Sequence, residues 1–79
     1  MSTFASKEVI ARRIRRLRDG RGLKQQQLAE QIGRTQASVC DWERGRYTPD
    51  RASLEALATF FDVSVAEIVF DDEPARGER

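Results

Sequence analysis

The stretch from Leu28 to Trp42 constrains the fold of this chain more than any other. Leu28, Ala29 and Ile32 fall on one helical face, Gly33 interrupts the pattern, and Val39 and Trp42 resume it at i, i+3. Two apolar stripes so close together on either side of one glycine require two short helices joined by a tight turn. Their axes must cross steeply. Ala29 is small enough to allow the approach, and Gly33 can take a left-handed backbone angle that other residues resist. The spacing predicts helices over about Gln25 to Ile32 and about Gln36 to Arg44, the second capped by Thr35 and stopped by Gly45.

Three more helical segments and no strand are expected, so the fold class is all-α. The first runs from about Ser6 to Asp19. Ser6 can cap it, Glu8 lies in its favourable first turn, and Ile10, Ile14 and Leu17 form its apolar stripe, with arginines on the other faces. The fourth runs from about Arg51 to Phe61, capped by Asp50, with Leu54, Leu57, Ala58 and Phe61 inward. The fifth, about Val65 to Phe70, opens on Ser64 and Glu67 at the spacing of a capping box. With 79 residues, 39% of them hydrophobic, the chain has material for one modest core. The expected organisation is a disordered stretch over residues 1–5, one domain over 6–70 and a polar flexible tail over 71–79. A domain this small is marginal alone and gains from a dimer contact.

Several function classes are disfavoured at once. Cys40 is the only cysteine, which leaves no intramolecular disulfide and no cysteine-based metal cluster. Histidine is absent, and with it the commonest general base and metal ligand. No nucleophile–base pair is recognisable, so no enzyme, cofactor or metal site is expected. No run approaches the ~20 apolar residues of a membrane span. No secretory signal is recognisable either, and the cytoplasm is the expected compartment.

The formal net charge of only +1 hides a strong asymmetry. Residues 1–24 hold eight basic and two acidic side chains, residues 25–49 balance, and residues 50–79 hold three basic against eight acidic ones. Such a chain can turn a basic front to a polyanion and an acidic back away from it. With Val39 and Trp42 turned inward, the third segment directs Gln36, Ala37, Cys40, Asp41 and Arg44 the other way. These are residue types that read DNA. Gln can make two bonds to adenine, Ala can touch a thymine methyl, and Asp can accept from cytosine N4. The helix starts at Gln25 and Gln36 expose N–H groups suited to phosphate, and Lys24, Arg34, Arg44 and Arg46 flank them. Gln25, Thr35 and Ser38 complete the candidate positioning set. Tyr47 can donate to a phosphate or cover the core edge. Cys40 is either a small filler or a thiol that could cross-link two bound subunits. Val65, Val69 and Phe70 are either core or a homodimer contact.

In combined spacing the chain resembles the lambda-repressor-like helix-turn-helix domains of the Cro and xenobiotic-response-element type. The matching residues are Ile14-Arg15-Arg16-Leu17-Arg18, Gly22-Leu23-Lys24-Gln25, Leu28-Ala29, Gly33, Val39, Trp42-Glu43-Arg44-Gly45, Pro49, Leu54, Leu57-Ala58, Val63-Ser64 and Ile68. The resemblance implies a compact five-helix bundle with the helix-turn-helix at helices two and three. It implies that Gln36, Ala37 and Asp41 face bases, that Gln25 contacts phosphate and braces Gln36, and that Arg18 and Glu43 form a buried ion pair. Two departures stand out. Lys24 replaces the usual capping Ser or Thr, which removes a side-chain cap and sets a cation against the helix dipole, yet supplies a phosphate partner. Asp41 on the reading face repels phosphate unless it meets a cytosine or a neighbouring arginine. It is therefore either a base contact or a group that excludes wrong sequences.

The expected function is sequence-specific DNA-binding transcription regulation, repression above all, by a homodimer on a palindromic double-stranded operator. One recognition helix per subunit would enter successive major grooves ~34 Å apart. The alternative is an antitoxin or anti-repressor type of interaction module with the acidic C-terminal half as its partner surface.

Overall fold

The computed structural model describes residues 3–71. Five helices follow one another: α1 (Lys7–Gly20), α2 (Gln25–Ile32), α3 (Gln36–Glu43), α4 (Arg51–Phe61) and α5 (Val65–Val69). Their starts are set by side chains that satisfy the otherwise orphaned first-turn N–H groups. Ser6, Thr35, Asp50 and Ser64 each accept from the backbone N–H three residues on. Caps of this kind contribute about 1 kcal/mol each. At α2, Lys24 offers no acceptor, but Gln27 Oε1 reaches back to Lys24 N at 2.8 Å. That is one half of a capping box, and it compensates part of the loss the Lys24 departure implies.

Each helix places one side chain in the centre of the molecule. Ile14, Leu28, Val39 and Leu57 are 0% exposed and Ile68 is 1% exposed. Around them α3 packs on α1 and α2, α4 on α2 and α5, and α1 closes the bundle against α5. Truncating any of these five to Ala removes transfer energy and leaves a cavity, at about 2–5 kcal/mol for the Leu and Ile cases. Trp42, 6% exposed, joins this core as expected. The turn between α2 and α3 depends on Gly33 at φ 70° and ψ 35°, the left-handed conformation for which it was singled out.

Long-range polar contacts fasten the helix ends. The Arg13 Nη1 donates to the carbonyls of Glu67, Ile68 and Phe70 at 3.3, 3.1 and 2.6 Å, binding α1 to the C-terminal end of α5. A cation there also complements the helix dipole. The Arg21 guanidinium lies 5.4 Å from the ring centroids of both Phe60 and Phe61. Those rings meet edge to face at 5.0 Å.

Residues 3–5 are tied to the C-terminal end of the domain. Ala5 N donates to Val69 O at 2.7 Å and Asp71 N to Thr3 O at 2.6 Å, closing an antiparallel bridge between Phe4 and Phe70. The two rings lie 5.2 Å apart, and Ala5 is 8% exposed. Residues 1–2, and the tail expected over 71–79 beyond Asp71, lie outside the described residues. Of its two alternatives, core or dimer contact, Val69 takes the core one. At 4% exposure it is a core residue and cannot offer its side chain to a partner. A five-residue helix must bury Ile68 and Val69 together to hold itself down. Val65 and Phe70 are half-buried and pack on the edge of the core.

Candidate nucleic-acid interface

The start of α3 is held by Thr35, whose Oγ1 accepts from Ser38 N at 3.1 Å and donates to Ser38 Oγ at 3.1 Å. The two Thr35 and Ser38 hydroxyls therefore serve the helix start. Val39 and Trp42 rotate the helix so that Ala37, Asp41 and Arg44 fall on the opposite side, with Gln36 on the flank of the first turn. Gln36, Ala37 and Arg44 are exposed. No other described residue hydrogen-bonds or ion-pairs with the side chains of Gln36, Arg44 or Lys24. These groups are free to meet an external ligand. Cys40 is half-buried with a free thiol.

Asp41 takes the neighbouring-arginine alternative. Its Oδ1 lies 3.9 Å from Arg46 Nη1, and its backbone carbonyl accepts from Arg46 N at 3.0 Å. The contact is loose and half exposed, worth well under about 1 kcal/mol. Its geometric consequence is larger, since it leans Arg46 toward the outer face of α3. Tyr47 follows at 61% exposure.

Behind this face sits the polar cluster that the resemblance implied in part. Glu43, with a side chain 4% exposed, accepts from Arg18 Nε at 2.6 Å and Nη2 at 2.9 Å. The bidentate carboxylate holds the Arg18 guanidinium in its charged form even more firmly than usual. Gln25 Nε2 also donates to Glu43 Oε1, at 3.1 Å. The Gln25 amide nitrogen is thus turned to Glu43 rather than to Gln36. The buried carboxylate is the stronger acceptor and claims the amide.

Arg34 is placed differently from a free phosphate ligand. Its Nε donates to Ser53 Oγ at 2.8 Å and its Nη1 to Gly33 O at 3.1 Å, which ties the α2–α3 turn to the first turn of α4. Ser53 is 1% exposed, and its backbone N–H donates to Asp50 Oδ1 at 3.1 Å. Hydrogen bonds from Ser53 hold the Asp50 carboxyl below its ordinary value. Sequence reasoning missed Ser53, although its position three residues after a capping Asp is a usable signal. It also missed Arg13 and Gln27. Gln27 stands at the third position of α2, where a capping-box partner belongs.

The fold and this face together define a domain of the helix-turn-helix class, built like the lambda-type repressors. Residues 9–69 match the family model described as a helix-turn-helix domain, and the chain belongs to that family. It is 34% identical to the HTH-type transcriptional activator BcrR of Enterococcus faecalis, over 77% of this chain and 30% of the relative. It is also 34% identical to the immunity repressor protein of Bacillus phage phi105, over 89% of this chain and 49% of the relative. The chain thus spans half or less of these two curated relatives. The crystal structure of the P22 c2 repressor protein bound to a synthetic operator superposes with a TM-score of 0.73, at 25% identity, covering 76% of this chain and 91% of that one. These relatives are a transcriptional activator and two repressors.

Proposed function

We propose that this domain binds double-stranded DNA in a sequence-specific manner, as a homodimer on a palindromic operator, with α3 in the major groove. The observation that carries this reading is the outer face of α3 and its surroundings. Gln36 and Ala37 are exposed and without internal partners, and the unpaired cations Lys24 and Arg44 flank them. Gln36 and Ala37 would read base edges, with Asp41 accepting from a cytosine or excluding other bases. Lys24, the backbone N–H of Gln25, Arg44 and Arg46 would contact phosphate, with Arg34, Thr35, Ser38 and Tyr47 in positioning roles. Repression by covering a promoter is the simplest output of such a domain, and the immunity repressor and the operator-bound P22 c2 repressor support it. A similar sequence also occurs in a transcriptional activator, which carries the opposite sign of regulation. No helix among the described residues is long and apolar enough to cross a membrane, and the work of such a domain belongs in the cytoplasm.

Selection of binding sites from random duplex DNA, followed by gel shifts at two salt concentrations and sedimentation of the complex, tests the proposal. A recovered palindrome bound by two chains is the expected result. Binding without sequence preference, or by one chain per site, would overturn it.

A further inference from the structure

We propose that Arg18 and Glu43 are positioning residues for DNA binding: together they fix the loop that presents Lys24 to phosphate. The inference rests on the reading of Lys24 and Gln25 as phosphate contacts. Lys24 sits between two residues that the buried pair grips from either side. On one side, Arg18 Nη1 donates to Leu23 O at 2.7 Å, and Leu23 N donates to Arg18 O at 3.2 Å. On the other, Gln25 Nε2 donates to Glu43 Oε1 at 3.1 Å. Arg18 and Glu43 are themselves locked together by two short bonds, so both grips belong to one rigid unit.

That unit ends on Glu43, the last residue of α3. The phosphate loop is therefore indexed to the recognition helix itself and not merely to α1. The arrangement explains why Lys24 is tolerated at a helix start that a cation opposes. The position of the loop is set by its neighbours, and position 24 is left free to carry charge outward. Glu43 is too deeply buried to touch DNA, with 4% of its side chain exposed, and Arg18 has 13%. The bonds to Leu23 and Gln25 give the pair its route to the loop.

The test uses the full chain and a mixture of short random-sequence DNA duplexes, because a phosphate loop acts on every sequence. Binding is followed by fluorescence anisotropy over a salt series, well below the unfolding temperature. Lys24→Ala should lower the salt slope by about 0.9 per bound chain in the otherwise unchanged chain. Glu43→Gln keeps the shape but weakens both grips, and should reduce affinity about three- to tenfold. In the Glu43→Gln background, Lys24→Ala should then cost little further affinity and change the salt slope little. Arg18→Lys keeps the charge but loses the planar fork that reaches Leu23, and it provides a second cycle with Lys24→Ala should Glu43→Gln fail to fold. Additive losses in the folded cycles, with Lys24→Ala lowering the slope equally in every background, would overturn this inference alone. A chain that shows no salt-dependent DNA binding at all would overturn the proposed function along with it.

Discussion

Arg34→Met is the substitution that separates folding from DNA contact most cleanly. In the folded chain the Arg34 Nε donates to Ser53 Oγ at 2.8 Å, and Ser53 is 1% exposed. The methionine keeps the aliphatic stem and removes the donor. The oxygen left behind is buried, and an unsatisfied buried acceptor costs about 1–3 kcal/mol. Arg34 itself is exposed, so water can approach where its guanidinium stood, which argues for the lower half of that range. The bond to Gly33 O is exposed and exchanges for water at little cost. We expect a loss of about 1–2 kcal/mol, a large share of the few kcal/mol available to so small a domain. Urea unfolding should show it as a midpoint lowered by roughly 1 M with an unchanged slope. Ser53→Ala removes the stranded oxygen, so the double variant should lie above the sum of the single losses by about 1 kcal/mol. An unshifted midpoint for Arg34→Met, or strict additivity in the cycle, would refute the claim that this bond fastens the turn to α4. The same variant tested on DNA reports on phosphate contact. A salt slope lower by about 0.9 per bound chain means that Arg34 also neutralises a phosphate.

Three further outcomes are expected. Gln36→Ala should weaken binding to a selected site by about 1–3 kcal/mol and relax one base position, while random-sequence DNA binds as before; an unchanged base preference in a repeated selection would show that the helix is phased differently. Asp62 is the one non-glycine among the described residues with positive φ, at 57°, and it puts a carboxylate at the C-terminal end of α4. Asp62→Asn keeps a side chain that tolerates this conformation and removes the adverse charge, so thermal unfolding should move up by an amount matching about 0.3–1 kcal/mol. The lowered native value of the Asp50 carboxyl means that its contribution is complete above the unfolded value of about 3.9 and is lost as pH falls through the native value. Asp50→Asn keeps the cap without titrating, so chemical unfolding from neutral pH into the acid range should favour the variant progressively at the acid end; parallel profiles would contradict this.

Much of the fold is written in local signals. Ser6, Thr35, Asp50 and Ser64 announce helix starts because a cap and the N–H it serves are only three residues apart. Ile14, Leu28, Val39 and Leu57 announce the core because helical periodicity survives over two turns or more, whereas Ile68 is legible only through the family resemblance. Val69 could not be assigned this way, since five residues are too few to fix a helical phase. Contacts to backbone carbonyls leave no trace in sequence, because every residue has one. That is why Arg13, joined to carbonyls near residue 70, looked like one more arginine on a solvated face. Phe4 was illegible for a similar reason, its partner Phe70 lying at the other end of the domain. In the site, the outward set on α3 followed directly from the inward one. The ion pair between Arg18 and Glu43 is legible only through family resemblance, and the attachment of Gln25 to it only in the fold.

Along α3, the duties of holding and of reading fall to different residues. Thr35, Val39, Trp42 and Glu43 are committed to the cap, the core and the polar cluster. Gln36 and Ala37 are committed to nothing inside the molecule, and Asp41 only to a loose surface contact. Changes confined to positions 36, 37 and 41 should therefore leave folding almost untouched. A lineage built on this scaffold could drift from one DNA site to another through folded intermediates, without a compensating change elsewhere at each step. The interleaving of the two sets makes the domain permissive to new specificities in a way that neither its stability nor its affinity alone would reveal.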